Sequence, residues 1–222
     1  MARRAAAATI AVSCCLAVAG CSTPPPREDP PEMADPEPDA IRMAAVGDSI
    51  TDGDSRDFAG GVPGPQSWVS YAVGPEVDFV GGWAEWGASA EAMAQGVTGP
   101  FDADVLVILA GTNDAAWTPH EEVGRHLADI TETAEIDEVV LSSIPPNAFS
   151  LGGAAELNSS LEDLAHQQDW VWVDSAADLR DGDGYADEMS YDGIHPTEAG
   201  ARVIGEAIGE AVRDSAASRN AD

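Results

Sequence analysis

The clearest shortage in this sequence is positive charge. It contains no lysine, and 10 arginines face 40 acidic residues, which gives a formal net charge of −30 at pH 7. Such an excess of negative charge repels phosphate backbones and argues against nucleic acid as a partner. It also favours neutral substrates over anionic ones. Most of the acid excess is nevertheless interpreted as serving solubility, and it indicates no particular chemistry.

Long hydrophobic runs are also missing. The apolar stretch at residues 5–19 follows Arg3 and Arg4, but it is short and rich in small side chains. It is therefore unsuited to a stable membrane span, and the pattern is typical of a signal peptide. Residues 1–20 are not expected in the folded protein. Their removal takes away two arginines and no acidic residue, so the net charge falls from −30 to −32.

Cysteine is scarce, and the processed chain is expected to have no internal disulfide. Cys14 and Cys15 lie in the removed segment, which leaves Cys21 alone. The run Val18-Ala19-Gly20-Cys21 resembles the lipobox of bacterial lipoproteins. In that family the cysteine is acylated and becomes the first residue, so the resemblance implies a lipid anchor on Cys21 outside the cytoplasm. The alternative is an ordinary secretory signal that leaves one idle thiol.

The rest of the chain divides into a tether, one domain and a tail. Residues 21–40 are rich in proline and acid and have almost no large apolar side chains, so they should form a disordered tether. Residues 41–213 suit one domain with a single core. Residues 214–222 are expected to form a disordered tail.

Apolar runs alternate with helical patterns along residues 41–213. The strand candidates are residues 41–46, 77–80, 105–109, 139–144 and 170–173. The third run is wholly aliphatic, which is typical of a central strand buried on both faces. The helix candidates are residues 66–73, 119–135, 154–168 and 196–212. Apolar positions of the last helix recur three or four residues apart, at Ala199, Val203, Ile204, Ala207, Ile208, Ala211 and Val212.

Strands that alternate with helices predict an α/β fold. We expect a three-layer α/β/α sandwich around a central five-stranded parallel sheet, of the flavodoxin-like type. In such sheets, ligands bind at the carboxyl ends of the strands. The segments that follow the predicted strands are therefore where functional residues should lie.

Four short blocks occupy those positions. Gly47-Asp48-Ser49-Ile50 follows the first strand, and Trp86-Gly87-Ala88-Ser89 follows the second. Gly111-Thr112-Asn113-Asp114 follows the third strand, and Asp192-Gly193-Ile194-His195 precedes the last helix. In content and order the blocks resemble the SGNH family of GDSL-type esterases and lipases, which is named for Ser, Gly, Asn and His. The resemblance covers roughly residues 41–212.

The chemistry of acyl transfer explains why these residue types occur together. Ser49 is a weak nucleophile until an imidazole, here His195, takes its proton, and Asp192 can fix the tautomer of that imidazole. The resemblance implies three oxyanion donors: the backbone N–H groups of Ser49 and Gly87, and the side-chain amide of Asn113. A glycine at position 87 would let the backbone approach the substrate closely. Neither a metal nor a cofactor is expected.

Each block taken alone also has a structural interpretation. The first could cap a helix, residues 111–114 could form a plain turn, and residues 192–196 could start the last helix. Their joint occurrence in family order favours catalysis. Asp48 and Asp114 are predicted to brace loops through hydrogen bonds. Asp187 is the alternative partner of His195, but the Asp-x-x-His spacing favours Asp192.

The remaining candidates are weaker. His120, His126 and His166 lie in polar helical patterns and are predicted to face solvent. Residues 181–184 hint at a calcium loop but lack the later ligands, so a plain acidic loop is favoured. No histidine or cysteine cluster has metal-site spacing. Three tryptophans near the blocks either cap the core or line a pocket for an acyl chain or a sugar ring: Trp83, Trp86 and Trp117.

The sequence as a whole predicts an exported, lipid-anchored carboxylic ester hydrolase that acts on neutral esters. Because no long insertion could form a lid, short acyl esters are favoured, with acetyl groups on polysaccharides as the natural target of a tethered enzyme. A lipase, thioesterase or acyltransferase would use the same residues. Outside the enzymes, the alternative is a surface binding module that has lost activity. The sequence does not indicate an oligomeric state.

Overall fold

The computed structural model describes residues 35–150 and 152–219. The predicted signal peptide, Cys21 and most of the predicted tether lie outside these residues. The two described stretches contain the whole central sheet and all four sequence blocks.

A parallel five-stranded sheet forms the centre of the fold. Its strands are β1 (Ile41–Gly47), β2 (Val77–Ala84), β3 (Val105–Leu109), β4 (Val139–Ser142) and β5 (Val171–Val173). They pair in the order β2-β1-β3-β4-β5. Every residue of β3 is buried, as expected for an aliphatic strand between two neighbours. The predicted parallel α/β sheet is confirmed.

Helices cover both faces of the sheet. They are α1 (Ser49–Asp52), α2 (Val69–Ala72), α3 (Ala90–Gly96), α4 (His120–Ala134), α5 (Gly153–Gln167) and α6 (Glu198–Arg219). Helices α3, α4 and α5 pack side by side, whereas α2 packs on α6. Right-handed crossovers put these two groups on opposite faces. None of the described helices is long and apolar enough to cross a membrane.

The strand order creates a crevice at the carboxyl end of β1. The chain leaves β1 toward β2 on one side, then returns past β1 to build β3, β4 and β5 on the other. Ligands of open α/β sheets bind where the strand order reverses in this way. Ser49 directly follows β1 and Asn113 follows β3, so both sequence blocks lie at this crevice.

Helix α6 packs on α2 through glycines. A Cβ atom added to Gly205 would collide with the carbonyl oxygen of Trp68, and one added to Gly209 would lie 2.7 Å from that of Ala72. The buried side of α6 therefore centres on glycine and isoleucine. Ala199, predicted to lie on the apolar face, is exposed. Glycine adds no apolar side chain to the pattern, so periodicity did not reveal this close contact.

Helix α6 also runs farther than predicted. The expected disordered tail began at residue 214, but the helix continues to Arg219, which corrects the predicted boundary. Ser215 and Ala216 are buried in this last part. Nε of Arg219 lies 3.7 Å from a carboxylate oxygen of Glu138. Small and polar side chains make these contacts, so the apolar pattern ended before the helix did.

One further boundary and one whole helix differ from the prediction. The fold begins before residue 41, because the backbone N–H of Glu37 donates to the carbonyl of Pro75. Helix α3 was not predicted at all. Only Ala90 and Met93 of its seven residues are buried, which is too few to give a recognisable apolar face.

Candidate active site

Ser49 lies at a tight turn between β1 and α1. Asp48 is the N-cap residue of α1, and its carboxylate accepts a hydrogen bond from the N–H of Ile50 at 2.9 Å. A Cβ atom on Gly47 would collide with the side chain of Thr51, so only glycine lets the helix start this close to the strand. Ser49 is thereby held at the sheet edge with 7% of its surface exposed.

The structure brings Ser49 and His195 into contact although 146 positions separate them in the chain. Oγ of Ser49 lies 3.0 Å from Nε2 of His195. The other ring nitrogen, Nδ1, lies 2.8 Å from Oδ2 of Asp192. A hydroxyl, an imidazole and a carboxylate therefore form one hydrogen-bonded chain, which is the geometry that activates a serine nucleophile.

Asp192 uses both carboxylate oxygens to shape the histidine loop. Oδ1 accepts the backbone N–H groups of Ile194 at 2.9 Å and His195 at 2.8 Å, while Oδ2 contacts the ring. Partial burial would raise the pKa of Asp192, but the hydrogen bonds from His195 and Ile194 outweigh it and lower the pKa to about 2. The partner of His195 is therefore Asp192 rather than Asp187.

Two residues that the sequence analysis missed brace the same loop. The hydroxyl of Tyr185 donates to the carbonyl of Ile194 at 2.6 Å, and the hydroxyl of Ser190 donates to that of His195 at 2.8 Å. Burial raises the pKa of Tyr185, so the phenol keeps its proton. Tyr185 comes from a small hairpin, β6 (Arg180–Asp181) and β7 (Gly184–Tyr185). The predicted acidic loop at residues 181–184 is the turn of this hairpin.

The predicted oxyanion residues Gly87 and Asn113 lie on the segments that follow β2 and β3. Nδ2 of Asn113 donates to the carbonyl of Ala88 at 2.9 Å and makes a long contact of 3.4 Å with Oδ2 of Asp48. Asn113 and Gly87 are both exposed at the crevice. A Cβ atom on Gly87 would meet no atom within 4 Å, so crowding within the protein does not explain the glycine. Its φ of +74° favours glycine instead, because residues with a side chain rarely adopt this conformation.

Asp48 and Asp114 brace loops, as predicted. The carboxylate of Asp114 accepts the N–H of Ala90 and the hydroxyl of Thr118, both at 2.9 Å, which ties the block after β3 to the start of α3. Asp48 is completely buried. Burial raises its pKa to about 6, although the hydrogen bond from Ile50 acts in the opposite direction.

The three tryptophans have different environments. Trp83 is partly buried and packs against the core, whereas Trp117 is 86% exposed. Trp86 lies over His195, with ring centroids 5.2 Å apart and an angle of 29° between the ring planes. Its Nε1–H donates to Oδ2 of Asp52 at 2.7 Å. Of the three, Trp86 is therefore the one in contact with the candidate site.

The remaining histidines lie away from this site. His166 is exposed, as predicted. The prediction for His126 is wrong, because its side chain is only 15% exposed and lies 3.7 Å from Asp129. His120 is half-buried, with Nδ1 2.8 Å from the hydroxyl of Ser160. In residues 35–150 and 152–219, no group of three or more His, Cys, Asp or Glu side chains is placed to hold a metal ion.

The sequence relationships agree with this arrangement. The model of a family described as the GDSL-like Lipase/Acylhydrolase family matches residues 45–203, which is more than half of the chain. That span includes Ser49, Gly87, Asn113, Asp192 and His195. No curated protein matches the chain significantly.

Solved structures share the fold at low sequence identity. A member of the lipolytic protein G-D-S-L family from Veillonella parvula is 21% identical, with a TM-score of 0.60 over 77% of this chain and 97% of that one. A GDSL-like lipase from Bacteroides thetaiotaomicron is 18% identical, with a TM-score of 0.58 over 79% and 89%. A catalytic mutant of an acetylxylan esterase from Geobacillus stearothermophilus is 16% identical, with a TM-score of 0.59 over 81% and 96%.

Proposed function

The chain belongs to the family of GDSL-like lipases and acylhydrolases and is a carboxylic ester hydrolase, and from this premise we propose that it removes short acyl groups from neutral substrates by a Ser-His-Asp mechanism. The observation that carries the proposal is the chain of two hydrogen bonds, Ser49 to His195 at 3.0 Å and His195 to Asp192 at 2.8 Å.

Acylation begins at the Ser49 hydroxyl. Nε2 of His195 accepts the hydroxyl proton as Oγ attacks the carbonyl carbon of the ester, and Asp192 stabilises the imidazolium that forms. The pKa of Asp192, lowered to about 2, keeps this carboxylate charged at any pH at which the enzyme would work. His195 then gives the proton to the leaving alcohol, which departs and leaves the acyl group on Ser49.

The negative charge of the tetrahedral intermediate needs donors that are already in place. The backbone N–H groups of Ser49 and Gly87 and the amide of Asn113 are the proposed donors. One amide hydrogen of Asn113 is engaged by Ala88 at 2.9 Å, while the other makes only the 3.4 Å contact with Asp48 and could turn to the oxyanion. Losing one such donor typically lowers the rate by roughly a hundredfold to a thousandfold. Water completes the cycle when His195 activates it against the acyl-enzyme.

Exposed aromatic side chains support a carbohydrate as the alcohol. In residues 35–150 and 152–219, the exposed aromatic side chains are Trp86, Trp117, Phe149 and Tyr191. Each of these side chains lies on a loop that contains or contacts one of the four sequence blocks. The loops lie on both sides of β1. Aromatic faces can stack on sugar rings, and the net charge of −30 disfavours anionic surfaces such as acidic lipids. The likeness to an acetylxylan esterase agrees with acetylated polysaccharide as the substrate class.

We also propose that the enzyme acts outside the cytoplasm while anchored through lipid on Cys21. The support is the lipobox-like run that ends at this cysteine. The Cys21→Ser variant should leave the membrane fraction and retain esterase activity. Retention of Cys21→Ser protein in the membrane fraction would contradict the anchor without affecting the proposed chemistry.

Replacement of the nucleophile tests the proposed reaction. Ser49→Ala should reduce hydrolysis of p-nitrophenyl acetate by at least about a thousandfold, because the acyl-enzyme cannot form. Ser159→Ala is the matched control, since Ser159 is an exposed serine on α5, and it should retain wild-type activity. An inactive wild-type protein would favour the binding module, and full activity in Ser49→Ala would contradict the mechanism.

A series of p-nitrophenyl esters of increasing acyl length tests the substrate class. We expect kcat/KM to fall steeply beyond short acyl chains. A rise with chain length would instead indicate a lipase or long-chain thioesterase that uses the same residues. Release of acetate from acetylated xylan, compared with its deacetylated form as a blank, tests the carbohydrate directly.

A further inference from the structure

Trp86 and Asp52 form a bridge between the two halves of the candidate site. The Nε1–H group of Trp86 donates to Oδ2 of Asp52 at 2.7 Å, while the indole ring stacks on the imidazole of His195. Asp52 is the last residue of the short helix α1, which begins with Ser49. The indole thus joins the helix that holds the hydroxyl to the loop that holds the imidazole.

We propose that Trp86, fixed by Asp52, is a positioning residue that keeps the His195 ring in the orientation in which Nε2 faces Ser49. The inference rests on the function proposed above for this site. It adds two residues that act through His195 and have no part in the Ser-Gly-Asn-His pattern.

An imidazole ring that is held only at its two nitrogens can still move. Asp192 and Ser49 contact His195 at its two nitrogens, 2.8 and 3.0 Å away, and both contacts approach the edge of the ring. Edge contacts permit the ring to rock about the line that joins the two partners. A flat group against one face prevents this motion. Trp86 supplies that face, with 5.2 Å between ring centroids and 29° between planes.

Trp86 needs an anchor to do this, because burial does not hold it. Its side chain is 54% exposed, so packing fixes it only in part. The hydrogen bond to the Asp52 carboxylate is short and involves a charged acceptor, which makes it one of the stronger kinds of hydrogen bond. Asp52 therefore sets the angle at which the indole meets the imidazole.

The contact should strengthen during the reaction. His195 becomes an imidazolium when it takes the proton of Ser49, and a cation within about 6 Å of an indole centroid is attracted to the face of that ring. An interaction that grows in the transition state acts on kcat. A tryptophan that merely stacked on substrate would instead act on KM.

Kinetics of four variants on p-nitrophenyl acetate test the proposal. Trp86→Leu removes both contacts and should lower kcat about tenfold with little change in KM. Trp86→Phe keeps an aromatic face but no donor, and Asp52→Leu removes the acceptor, so each should lower kcat about fivefold. Asp52→Asn retains an acceptor oxygen and should recover most of the activity that Asp52→Leu loses.

A double-mutant cycle and proton NMR distinguish a positioning role of Trp86 from a general loss of structure in the variants. The Trp86→Phe/Asp52→Leu double variant should lose no more activity than either single variant, because both break the same bond. In the wild-type protein, the indole ring current should shift the carbon-bound ring protons of His195 upfield, and Trp86→Leu should abolish the shift. The NMR measurement on the wild-type protein does not depend on the folding of any variant.

Several outcomes would overturn the inference: no shifted His195 protons, additive losses in the cycle, or an effect of Trp86→Leu on KM alone. These are distinct from a failure of the proposed function. If Ser49→Ala is inactive but the Trp86 and Asp52 variants match the wild type, only the positioning role is wrong. If Ser49→Ala remains fully active, the proposed function itself is wrong.

Discussion

At the scale of single residues, each part of the candidate site is held by more than one contact. Asp192 contacts both the backbone and the ring of His195, and Tyr185 and Ser190 hold carbonyls of the same loop. The backbone of the histidine loop is therefore fixed, and Asp192 holds one edge of the His195 ring, before any substrate arrives. Such preorganisation is what lets a hydroxyl act as a nucleophile without a cofactor.

The role of Asp192 can be tested against its nearest alternative. Asp192→Asn should lower kcat/KM for p-nitrophenyl acetate roughly a thousandfold, because the amide no longer stabilises the imidazolium or fixes the tautomer. Asp187→Asn, the matched control, should retain activity. Comparable losses in both variants, or a loss in Asp187→Asn alone, would show that the orienting carboxylate has been misassigned.

Asp48 should make stability depend on pH in an unusual direction. Its folded-state pKa of about 6 lies above the ordinary value of 3.8, so the folded protein binds the proton more tightly than the unfolded chain does. The contribution of Asp48 to stability is then greatest below pH 3.8 and falls as pH rises to about 6, by about 3 kcal/mol at most for a shift of this size.

Urea unfolding at several pH values checks this dependence. Asp48→Asn should remove this decline. The free energy of unfolding of the variant should therefore increase relative to that of the wild type as pH rises. Asp178→Asn, at an exposed position, should leave the wild-type profile unchanged. Parallel curves for Asp48→Asn and wild type would contradict the raised pKa.

At the scale of elements, the packing of α6 on α2 depends on glycine. Gly205→Ala should destabilise the fold by about 2 kcal/mol, because the new methyl group would collide with the carbonyl oxygen of Trp68. Gly124→Ala on α4 is the control: its Cβ would lie 3.5 Å from a methyl of Leu164, and alanine favours a helix. In chemical unfolding, Gly124→Ala should have a higher free energy of unfolding than Gly205→Ala. Equal values would contradict the close contact of α6 with α2 at Gly205.

The sequence predicts an element only where large apolar side chains form its buried face. The five strands were found because short apolar runs mark β-structure, and three of the four site blocks were found because they follow those strands, whereas the fourth precedes the last helix. Helix α3 and the end of α6 were missed because glycine, serine and alanine contacts leave no apolar period. The contact of Trp86 with His195 joins residues that no spacing rule connects, and Tyr185 reaches Ile194 from a two-residue strand.

At the scale of the whole molecule, the fold carries a large negative charge. Carboxylates that repel one another destabilise the compact state, and salt screens this repulsion. The midpoint of thermal unfolding should therefore rise between about 20 mM and about 500 mM sodium chloride. Calorimetry at pH 7 checks this expectation. A midpoint that falls or stays constant would contradict net repulsion among the acidic groups.

The proposed hydrolase activity depends on the fold making Ser49 reactive through His195. The most direct test is covalent labelling with a fluorophosphonate, followed by mapping of the modified peptide by mass spectrometry. We expect one label per chain, located on Ser49, in the wild-type protein and almost none in His195→Ala. Labelling at another serine, or equal labelling of Ser49 in His195→Ala, would contradict the account.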